Sequence, residues 1–171
     1  FESAKDLDIL AEVTMSKGIA LLKDQNYLEA IQEFKKLLPL GEESKFHRDA
    51  AKYIHQALVF LVDGYAKQGG VVPILYSYTD YASLSIGEVQ NLKTLLQIGE
   101  AYQAVGMLPE AVQFFEKAKQ ADTRKSYNDR IFLNLGKVHY DKKNYGEAEL
   151  VARSFLKIFP RSSRVRNAMK L

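Results

Sequence analysis

The chain of 171 residues contains no cysteine, only four prolines and no run of Gly, Ser or Pro. Without thiols there can be neither a disulfide framework nor a thiolate metal site. Without a flexible or Pro-rich stretch there is no internal linker, and residues 1–171 are expected to form a single domain. Long apolar runs are missing too. Nothing approaches the roughly 20 residues that a membrane span requires, so direct insertion into a bilayer is not expected. No basic segment followed by an apolar stretch opens the chain at Phe1, which reads as a mature form or an excised piece. Cytoplasm and periplasm both stay open as compartments.

Charge of one sign is also lacking. Lys and Arg number 24 against 21 Asp and Glu, a formal net charge of +3. Nucleic-acid binders gather basic residues on one face. The tightest basic group here, Arg161, Arg164, Arg166 and Lys170, reads as a solvated helix end, so nucleic acid is not an expected partner.

Catalytic constellations are scarce as well. The three histidines are His47, His55 and His139. On one helix His47 and His55 would lie roughly 12 Å apart at 1.5 Å per residue, too far for one metal. No His-Glu-x-x-His sequence is present. Gly69-Gly70 runs into Val71-Val72-Pro73 without a following Lys-Ser/Thr, so it is no phosphate loop. No Ser, Thr or Lys has an evident base beside it. No enzyme, cofactor or metal site is expected.

What the chain does have is an ordinary globular composition, 47% hydrophobic and 26% charged, and an internal repeat. Leu95, Ile98, Gly99, Tyr102, Gly106, Leu108, Ala111, Phe115 and Ala118 recur 37 residues on as Phe132, Leu135, Gly136, His139, Lys143, Tyr145, Ala148 and Ala152, followed by Phe155 and Pro160. Stepping back 37 finds Leu58, Leu61, Val62, Tyr65, Gly69, Val71, Ile74, Tyr78 and Tyr81. An earlier copy holds Gly18, Leu21, Tyr27, Ala30, Phe34 and Leu37, 44 residues before its successor.

Within each copy the apolar residues fall at three- and four-residue spacing, one face of a helix. Gly99, Ala111 and Ala118 are then small residues where two helices approach. Helix signals agree: Ser85-x-x-Glu88 is a capping box, Pro73 and Pro109 sit in first turns, Gly69-Gly70 and Gly106 follow helix ends, and Pro160 closes the last helix. The first helices of the pairs are expected near 6–23, 45–68, 86–104 and 129–142, the second near 27–38, 73–83, 109–121 and 145–158. A further or capping helix begins within 163–171. The helix from Ser44 is about two turns longer than its counterparts and is expected to project. Tyr78 and Tyr81 are expected to fill gaps beside Val62 and Ile74.

This pattern resembles the tetratricopeptide repeat, Trp-x2-Leu-Gly-x2-Tyr, then Ala-x3-Phe, then Pro. The copies fall at 11–44, 55–88, 92–125 and 129–162. The resemblance implies an all-α fold, a right-handed superhelical stack of about four antiparallel helix pairs, and a protein–protein interaction scaffold that binds a segment of a partner in its concave groove. Self-association into a homo-oligomer, and service as the regulatory arm of a larger enzyme, are the alternatives.

In that family set positions of each first helix face the groove. They fall on Val59, Asp63 and Lys67 in the second copy, Lys93, Gln97 and Glu100 in the third, and Arg130, Asn134, Lys137 and Tyr140 in the fourth. Some members grip a terminal carboxylate with Lys and Asn, mostly at the fifth and ninth positions. Here the fifth are Met15, Val59, Leu96 and Leu133 and the ninth Ile19, Asp63, Glu100 and Lys137, so that clamp is absent. The apolar residues with charges of both signs suit an amphipathic helix or an extended segment with some basic residues. Exchanging Glu100 and Lys137 for opposite charges is expected to leave stability nearly intact. Phe159-Pro160-x-Ser162 is similar to the repeats of bacterial envelope proteins that serve outer-membrane assembly, a lean towards bacterial origin.

Overall fold

The structure, a computed structural model, describes residues 4–84, 91–125 and 128–171. The described residues form α-helices and short 3-10 turns, with no strand among them. The chain packs as two compact units, Phe1–Val89 and Gln90–Leu171.

In the first unit, α1 (Ala4–Lys23), α2 (Tyr27–Lys35), α3 (Lys45–Lys67) and α4 (Val71–Tyr81) follow one another, each packed on the next. Helix α2 stops at Lys35, and a 3-10 turn, Leu38–Leu40, carries Pro39, which cannot donate to a continuing helix. Lys17 and Lys36 donate to the two oxygens of Glu33 at 2.6 and 2.7 Å, tying α1 to α2. The Lys17 hydrogen bond, then that of Lys36, holds the Glu33 carboxyl below its ordinary pKa.

The projection expected of α3 is not found. Ser44 caps it by accepting from the Phe46 N–H at 3.2 Å, and its early turns are packed. Ala50 and Ala51 are buried, the Tyr53 ring stacks on Phe34 at 5.1 Å, and His47 Nδ1 lies 2.8 Å from the Leu38 carbonyl oxygen. The longer insertion between the first two copies supplies the 3-10 turn that these extra turns cover. Tyr81 is buried, and its hydroxyl accepts from Gln32 at 3.3 Å. Tyr78 is half-buried and Tyr76 is exposed.

In the second unit, α5 (Leu92–Ala104), α6 (Leu108–Ala121), α7 (Asn128–Asp141), α8 (Tyr145–Ile158) and α9 (Val165–Ala168) again pack in succession, and α5 also meets α7. The expected start of α5 near 86 lies outside the described residues, and the described helix opens at Leu92. Asn91 is extended, and its side-chain oxygen accepts from the Thr94 N–H at 3.0 Å, a cap that opens the helix at Leu92. The capping box at Ser85 lies outside the described residues.

The four copies share one turn. Gln25, Gly69, Gly106 and Lys143 all have positive φ, from 62° to 80°. The next residue's N–H bonds back to a carbonyl five residues earlier each time: Asn26 to Leu21, Gly70 to Tyr65, Met107 to Tyr102 and Asn144 to His139, at 2.8–2.9 Å. This is the Schellman closure of a helix, and it recurs in all four copies. The small residues act as the repeat requires. A Cβ at Gly99 would stand 2.6 Å from Phe115 Cε1, and Phe34 crosses Gly18 in the same way. Phe34, Phe115 and Phe155 are fully buried, as are Ala30, Ala111 and Ala148.

Candidate functional site

The candidate groove residues fall in two groups. On α3, Val59 is half-buried and Asp63 Oδ2 pairs with Lys67 Nζ at 2.9 Å. That face also carries Phe60, whose ring stacks on Tyr27 at 5.2 Å.

The second group lies on α5 and α7. Helical periodicity puts Lys93, Gln97 and Glu100 on one face of α5, and Arg130, Asn134 and Lys137 on one face of α7. Glu100 is the point where the two helices join. Its carboxylate accepts from Arg130 Nε at 2.9 Å, Arg130 Nη2 at 2.7 Å and Asn134 Nδ2 at 2.8 Å. One turn further along, Gln103 donates to Asp141 Oδ2 at 2.6 Å. Gln97 and Asn134 are buried, with 7% and 4% of their surface exposed. Lys93 is exposed at the start of α5.

Beyond the Glu100 cluster an open groove of about 970 Å³ runs along the second unit. Glu100, Asn134, Lys137 and Tyr140 line it, four of the residues expected from the sequence. Apolar wall comes from Ala104, Leu108 and Leu171. The remaining polar lining includes Asn167 and Lys170 from the C-terminal segment. Leu96 and Leu133, the fifth-position residues expected to make the groove apolar, are buried in the core instead, 0% and 2% exposed.

The C-terminal lining was missed because α9 spans one turn, too short for a periodic signal. A three-way contact holds this segment against α7. Ser162 Oγ donates to Asp129 Oδ2 at 2.5 Å and Arg164 Nη1 pairs with the same oxygen at 3.1 Å. The basic group expected at a solvated end is thus divided: Arg164 is half-buried in an ion pair, Arg161 and Arg166 are exposed, and Lys170 faces the groove.

Among the described residues no group of three or more His, Cys, Asp or Glu could hold a metal ion. His55 and His139 are half-buried, and the Nδ1 of each has no hydrogen-bond partner there. No described helix is long and apolar enough to cross a membrane.

An all-α chain of consecutive helix pairs, each closed by the same Schellman turn and packed through small residues, defines a helical-repeat protein. Likeness to known proteins names the repeat. Residues 92–124 match the family model of the tetratricopeptide repeat. No curated protein matches the chain in sequence. Among solved structures, the chain is similar to the crystal structure of YrrB, described as a TPR protein with an unusual peptide-binding site. The superposition has a TM-score of 0.55 at 16% identity and covers 92% of this chain and 91% of that one. Residues 92–124 are thus a tetratricopeptide repeat in sequence, and the chain as a whole shares the helical-repeat fold of a tetratricopeptide protein.

Proposed function

We propose that the chain is a non-catalytic adaptor that holds a segment of another protein in the groove lined by α5, α7 and α9. The observation that carries this reading is the groove itself. It is large enough for several residues of an extended segment, walled by apolar side chains and edged by polar ones, the composition that peptide-binding surfaces use. The polar cluster beneath it is internally satisfied, so the helices that form the walls are held in place before any partner arrives. That lowers the ordering cost of binding. The fold it shares with YrrB supports the reading without locating the site.

Placing a photo-crosslinking residue at Tyr140 tests it, with Tyr76 on α4 as the control position. Both are exposed, 45% and 65%. Crosslinked partner peptides are expected from position 140 and not from 76. Equal capture from both, or none from 140, would overturn groove binding.

One observation favours a second reading, self-association. Leu7, Ile9, Leu10 and Val13 on α1 are each 45–60% exposed and form a broad apolar stripe. Sedimentation across a concentration series separates the two: a rising mass that Val13→Glu abolishes would favour a scaffold of copies.

A further inference from the structure

The charges that line the groove are unequally engaged. Glu100 is matched by three donors, and Asp141 accepts from Gln103. Lys137 sits half-buried in the middle of the lining, and Lys170 faces it from the C-terminal segment. Neither ammonium has a hydrogen bond or an ion pair among the described residues. Lys137 and Asp141 are one turn apart on α7, the spacing at which such pairs commonly join, yet Asp141 is turned to Gln103 instead. A partly desolvated cation without a counter-charge favours a ligand that brings one.

We infer that the groove selects an acidic segment: an internal stretch of a partner carrying Asp or Glu next to an apolar residue. The carboxylate lies between Lys137 and Lys170, and the apolar residue packs on Leu108 and Leu171. The inference rests on the reading of the groove as a segment-binding site and reverses the sign of charge expected of the ligand from sequence. The acids that would attract a basic segment are the ones already engaged, whereas the lysines are not. A chain terminus is not the occupant. The asparagine that could fork around a terminal carboxylate, Asn134, spends its amide on Glu100, and the two lysines stand on separate segments, Lys137 on α7 and Lys170 beyond the end of α9. An ammonium is a compact point charge, so Asp and Glu are both accepted.

Two random peptide libraries are displayed against the whole chain, one flanked on both sides by constant sequence and one ending in a free C-terminus. Baits are the unaltered protein, Lys137→Gln, Lys137→Glu and Lys170→Glu, each first shown to melt normally. The internal library is expected to enrich for Asp and Glu beside apolar residues. Lys137→Gln should weaken the enriched peptides by about tenfold, the usual scale of a charge-assisted contact. Lys137→Glu or Lys170→Glu should abolish the acidic excess, and higher salt should weaken binding. Enrichment with no acidic bias, or with a basic one, overturns this inference and leaves segment binding standing. Enrichment only from the free-terminus library overturns the internal occupant. No enrichment in either library overturns segment binding itself.

Discussion

Glu100 and Arg130 stand 30 residues apart in sequence and meet fork to fork across α5 and α7, Nε on one carboxylate oxygen and Nη2 on the other. The pair is partly shielded, with 37% and 23% of the side chains exposed, and Asn134 adds a third donor. It fixes the separation of the two helices that wall the groove. Glu100 is therefore a structural residue, and the expectation that its charge could be reversed with little effect on stability is corrected. Glu100→Lys places like charge beside Arg130 and strands the Asn134 amide. It is expected to cost about 1–3 kcal/mol in chemical denaturation. Lys137→Glu alone should change stability by about 0.5 kcal/mol or less. Equal effects of the two substitutions would show that the pair holds nothing together.

The small residues divide by what surrounds them. Phe115 lies against Gly99 and leaves no room for a Cβ, and Ala148 is fully buried. Gly99→Leu and Ala148→Leu are each expected to destabilise by about 1–3 kcal/mol or more through overpacking. Gly64 lies inside α3, and a Cβ added there would have nothing within 4 Å. Gly64→Ala should stabilise by about 0.5–1 kcal/mol through helix propensity alone. Thermal melts of the three variants test both directions at once. A stable Gly99→Leu would refute the packing of the third repeat.

Legibility from sequence followed the range of the signal. Gly99, Ala111 and Phe115 announced helix contacts because their spacing repeats in other copies, and the helix ends at Lys23, Ala104 and Ile158 coincide with local stop signals. Four groove-lining residues were reached by position in the repeat. What one copy alone encodes was hidden. The Glu100–Arg130 pair depends on how two copies abut. The cap at Asn91 was overshadowed by the Ser85 signal. Lys170 reaches the groove only because Ser162 and Arg164 anchor the last turn to Asp129. Burial of Leu96 and Leu133 shows that a position facing the groove in one register can belong to the core in another.

Gln25 and Lys143 occupy the left-handed turn position where the middle copies have Gly69 and Gly106. A non-glycine residue there carries a steric cost of about 1–2 kcal/mol. Both side chains are exposed, so exchanging them removes no packing. Gln25→Gly and Lys143→Gly should each stabilise by up to about 1 kcal/mol, less the entropy of the freer unfolded chain. Ala in place of Gly69 or Gly106 should do the opposite. Calorimetry on the four variants decides it, since a loss of stability in both Gly exchanges would mean that the side chains contribute more than the strain costs.

Asp129 makes stability depend on pH in a defined direction. Burial opposes its charge, but the Ser162 hydroxyl, the nearby Arg164 and the Arg130 N–H outweigh that and hold its carboxyl below the ordinary value. A folded pKa below the unfolded one means that the unfolded chain binds more protons in the interval between them. The contribution is thus complete above the unfolded value of about 4 and is lost as pH falls through the lower folded value. Comparing the unaltered chain with Asp129→Asn from pH 7 down to pH 2 should show a difference of about 1–2 kcal/mol at neutrality that shrinks only below about pH 4. Because Asp129 anchors the segment that carries Lys170, the same acid range should also loosen the groove's C-terminal wall, read as faster amide exchange at Asn167 and Lys170. If the stability difference persists unchanged at the lowest pH, the Asp129 side chain acts through packing and its charge does not secure that wall.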